Sequence, residues 1–564
     1  MKKKLFAISC LLFGLAKAQT PTVGLIQSSP ETYEGYTLIA PIQCPTNNCG
    51  TYLIDNCGDI VHQWPTTTAP GLTAQLMPNG NLLRSYSITH PFINAGGRGG
   101  GVELWDFNGT LLWDYVISDS VSTQHHEITY LPNGNILALI WNFHDSTECV
   151  AMGRNPANLG SEGIWSEKIV EYQPVYPDTA LVIWQWDVWD HLIQNFDNGL
   201  PNYGDPSIHP ELFDINYLGW SLGVADWLHA NAIDYNPALD QIAMSCRLFH
   251  EVYIIDHSTT LAEASTHAGG NSGKGGDILF RWGNPAAYSQ YPPSGQQLHA
   301  QHNVHWIKDG LPDAGKLMIF NNGTGRTPVE YSSVDIINPN PDVNGNYSLN
   351  VNNVYGPDSA EWSYVAPNPP DFHAQYISGA QRLPNGHTLI DDGTHGTVFE
   401  IDTAKNIIWK YVNPVTPTGI LNQGDSPAPF AVHGTLNWLF RAPKYALDYP
   451  AFTGQTLIPT VPIEQNPYTP NCLFVSLKEA SFSTEISLFP NPTSDYLTIK
   501  IYGENNVSTI VIKNLIGTSI PAKLSKLSDN EIQVSLNEFN PGMYIFEVQD
   551  KYGKTNIFKV LKTN

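Results

Sequence analysis

Three stretches decide the fold: HHEITYLPNGNILAL at residues 125–139, HANAIDYNPALDQIAMSCR at 229–247 and QHNVHWIKDGLPDAGKLMIF at 301–320. In each, a β-rich run enters a polar turn built from Pro, Gly, Asp and Asn and leaves through a second β-rich run, the pattern of a β-hairpin. Each hairpin is opened by a histidine. His126, His229 and His302 lie about eight or nine residues ahead of the turn centre, and the fixed rise of a strand converts that shared spacing into a shared height. In the second hairpin the turn centres near Ala238, so Arg247 falls opposite His229. Asn231, two residues on from His229, belongs on the same face by the period-2 rule. Three imidazoles, an amide and a guanidinium at one level suit the binding of an oxyanion.

Around these hairpins the block from about residue 50 to 440 repeats loosely. A second hairpin type recurs as TYLIDNCGDIVHQW (51–64), ELWDFNGTLLWDY (103–115) and VFEIDTAKNIIWKYV (398–412), and each carries a tryptophan at its close. The first type recurs again as AQLMPNGNLLR (74–84) and AQRLPNGHTLI (380–390). Alternation of the two types makes a four-stranded unit, and radial repetition of such units predicts an all-β, six-bladed β-propeller; an array of β-sandwiches is the alternative. On this reading Ser378 occupies a fourth position equivalent to the three histidines. Residues 186–228 break the rhythm with aromatics, prolines and asparagines, and read as an insertion over one mouth of the propeller.

The N-terminus MKKKLFAISCLLFGLAKAQT combines three lysines, an apolar stretch and Ala16-Lys17-Ala18, the pattern of a secretory signal over residues 1–18. No later apolar run reaches the roughly eighteen residues needed to span a bilayer. A net charge of −24 argues against nucleic acid or an anionic membrane as partner. An exported chain can oxidise its thiols, and Cys44, Cys49 and Cys57 cluster near the start; Cys44 with Cys49 is the favoured local pair. Cys149, Cys246 and Cys472 read as buried apolar residues.

After about residue 480 tryptophan vanishes and short alternating strands begin, which divides the chain into a propeller at 19–480 and a small β-sandwich at 481–564. The segments SLFPNPTSDYLTIKI, IKNLIGTSI and LNEFNPGMYIFEVQDKYGKTNIFKVLK closely resemble the C-terminal sorting domain of the type IX secretion system of Bacteroidota. The resemblance implies the secretion machinery as a partner, passage through the periplasm and a final location at the cell surface or outside the cell.

The histidine cluster points to group transfer. Nucleophilic catalysis by histidine needs a neutral imidazole aimed at an electrophile and cationic groups on the charge that moves. A sulfuryl group passes between oxygens much as a phosphoryl group does, through a loose transition state that depends on positioning and electrostatics. The strings HEITYLPNG, HANAIDYNPALDQIAMSCR and QHNVHWI, followed by FNNGTGR at 320–326, are similar to those of the bacterial arylsulfate sulfotransferases. That resemblance implies transfer from an aryl sulfate donor to a phenolic acceptor without nucleotide, cofactor or metal. It places the sulfated nucleophile at His302, with His126, His229 and Arg247 as catalytic partners and Asn231 as a substrate contact. Ser378 and His305 are further substrate-binding candidates, His305 because the QH..W spacing runs one residue longer here.

Two other readings compete with this one. Three converging histidines would also suit a transition metal, but a fixed cation at Arg247 opposes a dication beside it. A surface propeller that binds sulfated or phenolic ligands without turnover, or acts as an adhesin, is the non-enzymatic alternative. His62, His90, His191, His209, His250, His257, His267, His299 and His395 read as ordinary structural residues. His125 adjoins the site, while nothing fixes His373 or His433. Asp106, Asp187, Asp190, Asp391 and Asp392 sit in or beside turns and receive no chemistry. Glu127, next to His126, should face away from it and serve the structure.

Overall fold

The computed structural model describes residues 20–563 apart from 46–48, 67, 222–223, 289–294, 431–433, 469–485, 502–506, 515–517, 529 and 551–554. The expected signal segment, Cys472, His433 and the expected boundary at 480/481 lie outside the described residues. The chain divides into two units, with the division at 471/472.

Among the described residues of the first unit, six antiparallel meander sheets follow one another. The first covers 70–116, the second 122–187, the third 230–282, the fourth 302–364 and the fifth 379–412. The sixth is built from both ends of the unit: Lys444–Ala446 pairs with Gly35–Ile39, which continues through Thr51–Ile54 to Ile60–Trp64. Gly24–Gln27 adds a fifth strand to the outside of the fifth sheet. The second unit holds a four-stranded and a three-stranded antiparallel sheet around Leu497, Val534, Phe546 and Val560.

The inner hairpins owe their shape to a repeated turn. In the three Pro-Asn-Gly turns the glycine takes φ of +90° at Gly80 and +86° at Gly134 and Gly386, a left-handed conformation that follows a type I turn and that side chains resist. The glycine N–H closes the turn on the carbonyl three residues back, at Met77, Leu131 and Leu383. First strands of consecutive sheets, from the first to the fifth, then pack side by side. Between the fifth and sixth sheets, Gln381 and Lys444 exchange two hydrogen bonds. Between the sixth and first, Leu76 N–H donates to the Tyr445 hydroxyl at 2.9 Å and the Tyr449 hydroxyl donates to the Leu76 carbonyl.

The outer hairpins are linked by the tryptophans that the sequence repeats. Each lies on the last strand of one sheet and donates its indole N–H to the outer turn of the next: Trp64 to the Asp106 carbonyl, Trp113 to Thr179, Trp282 to Pro357 and Trp409 to Asn56. Trp184 does the same to the Thr259 hydroxyl. In the remaining case the Trp362 ring sits beneath the Arg382 guanidinium and the Lys405 ammonium of the fifth sheet, at 4.7 and 5.3 Å. Trp64, Trp113 and Trp409 are fully buried, so each combines a large apolar burial with a satisfied polar tip.

Cys44 and Cys49 form the expected disulfide. Cys57 is also disulfide-bonded, which goes beyond the single local bridge that the spacing suggested. Cys149 and Cys246 are buried free thiols. No helix among the described residues is long and apolar enough to cross a membrane.

If the indole links hold neighbouring sheets in place, Trp409→Phe should cost about 1 kcal/mol for the lost hydrogen bond, and Trp409→Ala about 3–5 kcal/mol. The urea midpoint of the first unit measures both; an unchanged midpoint in Trp409→Ala would contradict the role.

Candidate active site

His126 lies within the first strand of the second sheet, His229 and Ser378 directly precede the first strands of the third and fifth, and His302 begins that of the fourth; the backbone there is distorted in a repeated way. His126, His229, Asn303 and Ser378 have φ of +45°, +53°, +53° and +81°, in four successive sheets. The pairing register of the first strand slips beside each of the three histidines, between Ala138 and Ile140, between Ala230 and Ala232, and between His302 and His305. A bulge of this kind re-aims side chains and ends the simple alternation of faces. Gly97 makes room for the result: its carbonyl accepts the His126 N–H at 2.7 Å, and a Cβ there would lie 1.9 Å from the His126 ring.

Arg247 does face His229 across the strand pair, its N–H donating to the His229 carbonyl at 3.0 Å. Its buried Nε has no hydrogen-bond partner, and its guanidinium lies 5.3 Å from the Tyr376 ring. The alternation predicted for Asn231 is interrupted by the bulge. Its amide nitrogen donates to the Gln301 carbonyl at 2.8 Å, while its Oδ1 is buried without a partner.

The tautomer of His302 follows from its neighbours. Asn322 donates through Nδ2 to the carbonyls of Ala374 and Ile377, which fixes its Oδ1 as the atom 2.8 Å from His302 Nδ1. A second acceptor, the Ala300 carbonyl, is 3.2 Å from the same nitrogen. Two acceptors require a proton on Nδ1, and the neutral ring then carries its lone pair on Nε2. Burial, with the Arg247 charge next in weight, holds this imidazole well below its ordinary value of 6.5, so the neutral form prevails. His250, read as structural, supports this geometry by accepting the Ala300 N–H at 2.9 Å.

His126 and His229 meet edge to face with ring centroids 4.8 Å apart. Behind His126 runs a chain of buried polar groups: its Nδ1 is 2.9 Å from His125 Nδ1, and His125 Nε2 is 2.8 Å from Glu167 Oε2. The His125 ring is fixed by stacking on Trp141, with centroids 3.8 Å apart and planes at 3°. Glu167 Oε1 accepts the Ala230 N–H, which ties the chain to the third sheet. Burial pushes the Glu167 carboxyl well above its ordinary range and both imidazoles well below theirs, with the neighbouring histidines adding to the depression. His229 is held from the other side by Asp226 at 2.5 Å, a residue of the 186–228 insertion.

Arg441 is a site residue that the sequence reading missed. It lies between the sheets ahead of Lys444–Ala446, bonds Glu127 Oε2 at 3.0 Å and the Ser378 carbonyl at 2.8 Å, and its charge depresses His126, His302 and His305. Glu127 is held beside the site by its bond to Arg441, because the left-handed conformation at His126 breaks the alternation that would send it to the opposite face. Asp391, given no role from sequence, is buried with both carboxylate oxygens unpartnered, and the Arg441 charge opposes the rise that burial imposes on it. The Ser378 hydroxyl donates to the Tyr376 carbonyl and accepts the Gly393 N–H. His305 makes a 3.3 Å contact with the Asn303 carbonyl, and burial lowers it to about 4. His373 lies by Glu330.

Residues 487–562 match the secretion system C-terminal sorting domain, so the chain is exported through the type IX machinery to the cell surface or beyond. No curated protein matches the chain. Among solved structures, similarity extends to a protein of unknown function from Bacteroides caccae, 12% identical, covering 67% of this chain and 93% of that one at a TM-score of 0.34. It extends also to virginiamycin B lyase from Staphylococcus aureus, 10% identical, covering 70% and 88% at 0.30. The hydrazine synthase of Kuenenia stuttgartiensis is 13% identical, with coverage of 55% and 70% at 0.32. At such TM-scores the likeness is too loose to carry an argument about fold or function. Residues 25–414, which include His126, His229, Arg247 and His302, match the arylsulfotransferase family, and the chain belongs to it.

Proposed function

We propose that the first unit is a six-bladed propeller that moves a sulfuryl group from an aryl sulfate to a phenol through a sulfohistidine on His302, with no nucleotide. The fold reading rests on six successive meander sheets, the inner contacts that link each to the next, and the indole links that return from Trp409 to Asn56. The observation that carries the chemical reading is the fixed tautomer of His302: an unprotonated Nε2 on a buried ring, with the unpartnered Nε of Arg247 exerting its charge on it.

In the first half-reaction His302 Nε2 attacks sulfur, the sulfur–aryl oxygen bond breaks, and its electron pair leaves on the phenolate. Arg247 offers its planar fork of donors to the oxygens of the sulfuryl group. His229, oriented by Asp226, and Asn231 complete the cradle, and Arg441 adds positive potential from behind. Ser378 contributes through its carbonyl, which holds Arg441.

His126 is the acid that meets the leaving phenolate. When Glu167 is protonated, it donates to His125 Nε2, His125 Nδ1–H donates to His126 Nδ1, and His126 Nε2–H faces the substrate. Transfer of that proton to the phenolate is balanced by a shift along the chain: His126 Nδ1 takes the proton from His125, and His125 Nε2 takes the proton from Glu167. The glutamate ends as the carboxylate. The acceptor phenol returns a proton the same way as its oxygen attacks the sulfohistidine. The burial that raises Glu167 favours the protonated starting state.

With 4-nitrophenyl sulfate, nitrophenolate release should depend on added phenol and be abolished in folded His302→Asn. Undiminished turnover in that variant would overturn the assignment. Glu167→Gln interrupts the proton chain, so its rate should fall about 10²–10⁴-fold with donors of high leaving-group pKa and far less with 4-nitrophenyl sulfate; an equal loss across the donor series would contradict the relay.

The pH profile is a separate check. Because burial and Arg247 depress His302, the nucleophile stays neutral through 6.5 and activity should be lost only below that value. Removing the cation in Arg247→Met raises the folded-state value and should move the acid limb of kcat/KM to higher pH. A limb that stays in place or moves down would show that Arg247 does not act on His302.

A further inference from the structure

A second cluster, sharing no residue with the histidine pocket, has the donor set of a metal site. His191 closes the short turn Val188–His191 inside the 186–228 insertion and is fully buried. Its Nε2 is 2.9 Å from the Ala264 carbonyl, and its Nδ1 is 2.9 Å from Asp277 Oδ1. His267 brings its own Nδ1 to 2.7 Å from the same oxygen. The three potential ligand atoms lie within 4.8 Å of one another.

Donor and acceptor accounting shows what this arrangement asks for. A carbonyl only accepts, so the bond to Ala264 places a proton on His191 Nε2. The neutral ring then turns its Nδ1 lone pair toward a carboxylate oxygen at hydrogen-bond distance, which is repulsive unless a positive centre lies between them. That centre is either a second proton, shared between His191 and Asp277, or a metal ion. A carbonyl behind a metal-ligating imidazole, fixing its tautomer through the other nitrogen, is the usual support of such a ligand.

The surroundings hold the buried ligand and leave the outer one open. The Trp186 ring lies parallel to His191, at 9° with centroids 5.8 Å apart, and its indole N–H donates to the Gly276 carbonyl. Gly276 packs so closely on the ring that a Cβ there would lie 2.6 Å from Nε2. The His267 side chain is 62% exposed, which leaves a path for an ion and room for water as a fourth ligand. Two imidazoles and one carboxylate select zinc or a similar transition ion over calcium or magnesium, which prefer all-oxygen shells.

We propose that His191 Nδ1, His267 Nδ1 and the Asp277 carboxylate bind one zinc-type divalent ion, with water completing a tetrahedron. The ion pins the insertion to the loop between Glu251–Asp256 and Ile278–Trp282. It takes no part in sulfuryl transfer.

The test uses the untagged chain, freed of metal by a chelator and titrated with cobalt(II). One equivalent should bind with the visible d–d bands of tetrahedral cobalt, and zinc should displace it and raise the Tm. Because His267 is exposed, His267→Ala leaves the packing intact; it and Asp277→Asn should each bind cobalt more than about tenfold more weakly and lose the zinc-dependent Tm shift, with phenol-dependent transfer unchanged. Absence of saturable binding to the folded chain, or equal affinity in the parent and both variants, would overturn the proposal.

Discussion

The link between each sheet and the next is the constraint on which the rest depends. A four-stranded meander buries only part of its apolar surface alone, and its outer edge presents unpaired backbone groups. Here the last strand of a sheet is tied to the outer turn of its neighbour by an indole N–H, or by a cation over the ring at Trp362. The tryptophan covers apolar surface and satisfies a turn carbonyl or hydroxyl in the same contact. Successive first strands are thereby held at fixed spacing, and that spacing brings side chains hundreds of residues apart into one small volume. Arg441 reaches Glu127 across 314 positions of sequence in this way.

Within that frame the site is made by broken regularity. An unbroken strand at His126, His229 or His302 would send alternate side chains to opposite faces, and neighbours such as His126 and Glu127 would not serve one site. The positive φ values and register slips turn consecutive residues inward together. The cost is backbone strain of the kind that persists only where surrounding contacts over-determine it. Those contacts are visible: Gly97 under His126, Asn322 and His250 around His302, and Asp226 beside His229. Burial then keeps His125, His126 and His302 neutral, so the pocket carries positive charge on the arginines and the nucleophilic lone pair on nitrogen.

Much of this was legible in the residues. The hairpin turns, the recurring tryptophans and the pairing of His229 with Arg247 follow from turn chemistry and strand spacing, and all are local or nearly local. At Asn231 and Glu127 a register slip interrupts the alternation that the period-2 rule assumes, and such a bulge leaves no clear mark in a single sequence. Arg441 was invisible for a different reason: it lies outside any histidine-bearing hairpin, and only the meeting of the sixth sheet with its neighbours brings it in. Glu167 sits two strands away from His126 in the same sheet, and Asn322 just past the end of the strand paired with that of His302, where nothing in the sequence distinguishes a supporting residue from an ordinary buried polar one. Asp226, three residues ahead of His229, did carry a signal: an acidic residue at hydrogen-bond reach of a candidate histidine.

The most direct test of the central claim is to look for the covalent intermediate. The chain would be incubated with a ³⁵S-labelled aryl sulfate in the absence of acceptor, quenched in alkali, where an N-sulfo linkage survives, and digested to locate the label. The account predicts one sulfuryl group per chain on the peptide that contains His302, discharged when phenol is added before the quench. Label fixed on another residue, or transfer to phenol with no label ever retained on the protein, would contradict it.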